Sequence, residues 1–144
     1  MKYKEEDANK VKEILPMVSE YLFGEGDDII DMFSLYEKKA PGMWVDWIAG
    51  GFLRYMEEAT IDPKTTELIL LGMCVVQRCS GGVLFHTMSA LNLGIPESQI
   101  FDVLQLAGYE GGKIAVVEAA SMVREGINRY EKAVGEGKVK KREA

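Results

Sequence analysis

One histidine and two cysteines are all that this 144-residue sequence offers as soft metal ligands, and they fall close together at Cys74, Cys79 and His86. Three ligands at these spacings match no common zinc pattern, so neither a metal nor any other cofactor is expected. Two cysteines build no disulfide framework; in a reducing compartment each is a free thiol unless it has a redox task. An excess of basic residues is also missing: 17 Lys and Arg stand against 23 Asp and Glu, for a net charge of −6. Such a surface does not attract a polyanion, so no nucleic-acid partner is expected. The longest apolar run, Leu68 to Val76, falls well short of the roughly 20 residues a membrane span needs. No apolar segment follows the charged start Met1 to Asp7 as it would in a signal peptide. The expectation is a cytoplasmic protein with no membrane partner.

What remains is an ordinary globular composition, 47% hydrophobic, with 15 Gly and only 4 Pro. The length suits a single domain that buries about 68–70% of its unfolded surface without staples. Sustained period-2 alternation is absent, and the apolar residues recur at helical spacing. Between Glu5 and Phe23 they form an i, i+3, i+4, i+7 stripe that ends at Gly24 and Gly26. A second helix is expected from about Asp27 to Lys39 and a third from Met43 to Glu58, the latter interrupted at Gly50-Gly51. Asp62-Pro63 is a start signal, with Asp62 as cap and Pro63 in the first turn. The helix from Pro63 to about Arg78 is apolar on nearly every face, as suits a core element or one covered by another subunit. Ser80-Gly81-Gly82 interrupts or restarts it, and the helical pattern then runs to Gly94. Pro96 opens a further helix that stops before Gly108. The last helix starts after Gly111-Gly112 and runs to about Val134. The reading is an all-α antiparallel bundle of about six or seven helices, one domain over residues 1–135 with a polar basic tail at 136–144.

The chemistry-bearing residues cluster in the middle of the chain. The segments Ile61 to Ile69, Cys79-Ser80-Gly81-Gly82-Val83-Leu84-Phe85-His86 and Ala90 to Ile100 resemble the carboxymuconolactone decarboxylase family, which includes the alkylhydroperoxidase D-like proteins. The signature of that group is a glutamate that opens a helix, a cysteine twelve residues on, a second cysteine three later and a histidine four beyond that. Glu67, Cys79 and His86 occupy the first, second and fourth positions, and Gly82 stands where the redox members carry their second cysteine. The resemblance runs from about Pro41 to Val123.

It implies catalytic roles for Cys79 as nucleophile and for His86 and Glu67 as a proton relay. It also implies a ring-like homo-oligomer, a trimer or hexamer, acting on a small molecule, with an external thiol as reductant. On a continuous helix Cys79 and His86 share a face about 10 Å apart along the axis. If the helix restarts near Ser80, Cys79 lies at its N-terminus, where backbone amides favour a thiolate. Cys74, set among Leu70, Leu71, Met73, Val75 and Val76, reads as an inert core residue. A Cys74–Cys79 disulfide is not expected, because helical residues five apart point to different sides and the bridge would require the backbone to unwind. Any redox activity would then pass through a sulfenic acid at Cys79 resolved by an external thiol. Two other functions fit the same residues: a cofactor-free decarboxylase with His86 as general acid or base, and a non-catalytic oligomeric binding protein.

Overall fold

The computed structural model describes residues 35–36, 38–47 and 58–140, together with Asn9. The expected first helix, Glu5 to Phe23, the Gly50-Gly51 interruption and the last four residues of the tail lie outside the described residues, apart from Asn9, which is helical. The described residues contain four helices and no strand, so the fold is all-α. None of these helices is long and apolar enough to cross a membrane. The chain divides into two compact units, Met1–Glu20 with Gly24–Thr60, and Tyr21–Phe23 with Ile61–Ala144.

In the first unit, residues 35–36 and 38–39 are helical, as read from the sequence. The Ala40 amide donates to the Tyr36 carbonyl at 2.8 Å before Pro41, which has no amide hydrogen to offer, opens α1 (Pro41–Trp47). Val45 is buried there.

The second unit holds α2 (Pro63–Val76), α3 (Ser80–Asn92) and α4 (Glu97–Gly135), each packed against the other two. The start of α2 follows the sequence signal. The Asp62 carboxylate accepts from the Thr65 amide at 3.0 Å and from the Thr65 hydroxyl at 2.6 Å, and Pro63 takes the first turn. These two bonds hold the Asp62 carboxyl below its ordinary value. Leu71 and Val75 of α2, Val83 and Ala90 of α3, and Ile100 and Val123 of α4 close the core with almost no exposure. Burial of the Val, Leu and Ile side chains among these contributes about 1.5–3 kcal/mol each. The apolar excess of α2 is not all used in this way, for Ile69, Met73 and Val76 form an exposed stripe.

The long α4 is two helical runs. Gly112, at φ 80° and ψ 164°, breaks it where the sequence places Gly111-Gly112, in a conformation that side chains with a Cβ rarely adopt. Beyond α4 the start of the tail turns back: the Lys138 amide donates to Ala133 at 2.9 Å, and Val139 is buried.

Helix ends position the site. All three helices of this unit close with the same paired hydrogen bonds, a Schellman motif, in which the residue after the cap is left-handed. At α3 that residue is Gly94 (φ 74°) and at α4 it is Gly137 (φ 72°). At α2 it is Arg78 (φ 56°), which is the non-glycine residue of positive φ among those described. The Arg78 amide donates to Val75 at 3.0 Å and the Cys79 amide to Cys74 at 2.9 Å. The chain therefore leaves the helix at Val76, short of the sequence expectation, and α3 starts afresh at Ser80.

Candidate functional site

Glu67 and Cys74 lie seven residues apart on α2, and Cys79 and His86 lie seven apart across the start of α3. Seven residues is close to two helical turns, so each pair lies along one side of its helix, and the two helices run antiparallel. The result is two couples facing across the α2–α3 seam. Glu67 meets His86 at one level, and Cys74 meets Cys79 about two turns away.

At the first level the imidazole Nδ1 lies 2.7 Å from Glu67 Oε2, with side-chain exposures of 15% and 5%. An ionised carboxylate only accepts, so Nδ1 carries the hydrogen and Nε2 is the atom left to take or give a proton. Phe85 packs edge-on against the imidazole, with centroids 4.9 Å apart and planes at 79°. The carboxylate and Phe85 together set the orientation of the ring. Glu67 is the charged side chain buried in the core of this unit, and its position one turn into α2 follows from the Asp62-Pro63 start.

At the second level Cys79 is the N-cap residue of α3, outside helical geometry (φ −85°, ψ 86°), exposed, and with no capping hydrogen bond from its side chain. Of the two readings of Ser80-Gly81-Gly82, the restart is the one adopted, and it sets Cys79 at the positive end of the α3 dipole. Cys74, half-buried, is not set apart from it. A Cβ built on Gly82 would lie 2.5 Å from Cys74 Sγ and 3.1 Å from Cys79 Sγ, so both sulfurs border one point above a glycine. The Cys74 thiol is pushed up to about 11, first by burial, then by the charge and hydrogen bonding of Cys79, and least by Glu67. The expectation that residues five apart on a helix point to different sides does not hold here, because the backbone unwinds between Cys74 and Cys79. In a Schellman closure the third residue from the helix end and the second residue beyond it are brought side by side, and these are Cys74 and Cys79. The sequence marks this end only by Ser80-Gly81-Gly82, just beyond the turn, since the left-handed residue itself is Arg78 and not glycine.

Glu67, Cys79 and His86, the three residues expected from the sequence, thus fall on one helix pair, with Cys74 as a fourth that was set aside as core. Among the described residues no group of three His, Cys, Asp or Glu is placed to hold a metal ion. The arrangement brings together an exposed sulfur at a helix head, a second sulfur beside it, and an imidazole hydrogen-bonded to a buried carboxylate.

Comparison with known proteins gives one result. No curated protein and no solved structure matches the chain. The sequence profile of the carboxymuconolactone decarboxylase family matches residues 46–125, which include α2, α3 and the first part of α4. That match covers more than half of the chain, and with the helical fold and the Glu67, Cys79 and His86 positions it establishes that the protein belongs to the carboxymuconolactone decarboxylase family.

Proposed function

We propose that the protein is a thiol-dependent oxidoreductase that reduces hydroperoxides, with Cys79 as nucleophile and the Glu67–His86 couple as its proton relay. The observation that carries this reading is the exposed Cys79 at the head of the helix whose His86 is bonded to a buried carboxylate at 2.7 Å. In the chemical step the Cys79 thiolate attacks the terminal oxygen of the hydroperoxide. The O–O bond breaks, sulfur gains the oxygen as a sulfenic acid, and the leaving alkoxide takes a proton to become the alcohol. His86 supplies that proton from Nε2 through water, across the two turns that separate it from Cys79, and Glu67 holds Nδ1 and stabilises the imidazolium until the proton has left. One external thiol condenses with the sulfenic acid to a mixed disulfide with loss of water, and a second releases the Cys79 thiol and leaves as the external disulfide.

A second reading is favoured by the self-sufficiency of the Glu67–His86 couple. It is complete without either sulfur and lies about two turns from them, as suits a cofactor-free decarboxylase in which His86 is general acid or base on a small carboxylated lactone. One set of assays separates the two. Under the first reading Cys79→Ser abolishes dithiol-dependent consumption of cumene hydroperoxide; under the second it leaves lactone decarboxylation intact while His86→Ala removes it. Absence of both activities in the wild-type protein would leave the oligomeric binding role.

The proposal includes a homo-oligomer, a trimer or hexamer, in which a second copy covers the apolar side chains that the single chain leaves outside. These include the Ile69, Met73 and Val76 stripe of α2 and Leu106, Tyr109, Ile114 and Val117 of α4. Sedimentation of the protein as a monomer at micromolar concentration would contradict this part.

A further inference from the structure

Gly82 leaves a gap in the family's cysteine pair, and what fills the gap is a sulfur. The point where a side chain at position 82 would begin lies 2.5 Å from Cys74 Sγ and 3.3 Å from Cys74 Cβ, so a side chain there would displace the Cys74 sulfur. Cys79 Sγ lies 3.1 Å from the same point on its other side. The Schellman closure at Arg78 holds the two cysteines together through the 2.9 Å bond from the Cys79 amide to the Cys74 carbonyl. No glycine constrains that closure, and it is maintained against the cost of a left-handed arginine.

We propose that Cys74 and Cys79 are a redox-active dithiol that closes to an intramolecular disulfide, with Cys74 on α2 as the resolving thiol in place of a cysteine at position 82 on α3. The proposal deepens the oxidoreductase reading above and rests on it for the first step, oxidation of Cys79 by a hydroperoxide. In the second step the Cys74 sulfur attacks the Cys79 sulfenic acid. An S–S bond forms, the S–O bond breaks, and the departing hydroxide combines with the Cys74 proton as water. Two thiols and one hydroperoxide thus give one disulfide, one alcohol and one water. An external dithiol restores the pair by exchange and becomes the oxidised partner.

The two sulfurs differ in the way such a division of labour needs. Cys79 is exposed and meets the oxidant, whereas Cys74 is half-buried and held protonated by burial and by its neighbour's charge. Once Cys79 has become a neutral sulfenic acid its charge no longer opposes ionisation of Cys74, and burial and the more distant Glu67 are what remain.

Trypsin makes the test direct, because cleavage at Arg78 puts Cys74 in peptide 65–78 and Cys79 in peptide 79–113. The reduced full-length protein is treated with one equivalent of hydrogen peroxide, alkylated and mapped without reduction. The expected result is the two peptides joined, a chain lighter by two hydrogens, and loss of both alkylatable thiols. In Cys74→Ser the joined peptide disappears and dimedone labels Cys79. In Cys74→Ala/Gly82→Cys a disulfide returns, now inside peptide 79–113. Wild-type protein that accumulates a dimedone adduct on Cys79 while Cys74 remains free to alkylate would overturn the dithiol and leave the Cys79 reading standing. Failure of Cys79 to oxidise in both the wild type and Cys74→Ser would overturn the oxidoreductase reading itself.

Discussion

Removal of His86 leaves a carboxylate behind in the core, and the size of that penalty can be worked from the geometry. Glu67 and His86 are 2.7 Å apart, with side-chain exposures of 5% and 15%. Removing the partner of a buried carboxylate costs up to about 3–5 kcal/mol, because the group is left without its hydrogen-bond donor. The imidazole's partial exposure lets water reach the vacated space, so His86→Leu is expected to cost about 2–4 kcal/mol. With a urea m-value of about 2 kcal/mol/M, the unfolding midpoint falls by about 1–2 M. Glu67→Gln preserves an acceptor for Nδ1 and replaces a charge-assisted bond by a neutral one, for about 1 kcal/mol. Glu67→Leu/His86→Leu removes both polar groups together and costs less than the two single changes added, with a coupling of about 1–3 kcal/mol. The assay is urea unfolding of the wild type, the two leucine variants and the double variant, at one pH and one protein concentration. A His86→Leu cost below about 1 kcal/mol, or single effects that add to within about 0.5 kcal/mol, would refute the claim that the two side chains act as one unit.

Arg78 sits where the other two helices of the unit have glycine, so Arg78→Gly relieves a left-handed residue. Loss of its 3.5 Å pair with Glu118, about half exposed on both sides, offsets little; the expected gain is about 0–1 kcal/mol, with Arg78→Val the least stable of the series by thermal melting. Gly112→Ala costs about 1–3 kcal/mol through backbone conformation alone, since nothing lies within 4 Å of the added methyl group. The same change at Gly135, also in open space but without positive φ, is expected to stabilise by up to about 1 kcal/mol; equal effects at the two sites would contradict the assignment of the cost to Gly112 φ. Because Asp62 is held below 3.8 by its bonds to Thr65, its folded form is favoured above the ordinary carboxylate range. That contribution is lost as pH falls through the lowered value, so Asp62→Asn flattens the acid side of the stability profile between about pH 5 and pH 2.

What was legible in the sequence was local or was carried by the family resemblance. The start of α2 at Asp62-Pro63, the stop at Gly94 and the break at Gly111-Gly112 each rest on residues whose backbone preferences act within one turn. The Glu67–His86 bond spans nineteen positions, and no periodicity of a single helix reports which residue of another will face it; only the resemblance set the two together. Cys74 was missed for a physical reason. Its neighbours are apolar, as in any core helix, and the end that turns it toward Cys79 depends on an arginine in a conformation that glycine ordinarily takes.

The same geometry explains why the second sulfur can move between helices and yet stay in one place. Cys74 and a residue at position 82 compete for a single volume, since the Cβ of any residue at 82 would begin 2.5 Å from the Cys74 sulfur. The two are therefore alternatives: a chain of this fold with a side chain at position 82 must carry at position 74 a residue smaller than cysteine, or one turned away. Gly82 is thus more than a lost cysteine, for it is the residue that leaves room for Cys74 beside Cys79. Gly82→Ala accordingly drives the Cys74 sulfur from its position at modest cost to stability, because the displaced atom is the end of a side chain. Mapped without reduction after peroxide treatment, that variant should retain a reactive Cys79 and lose most of the joined 65–78 and 79–113 peptides. If the joined peptides form as readily as in the wild type, the two positions do not share one space and the argument for a relocated thiol falls.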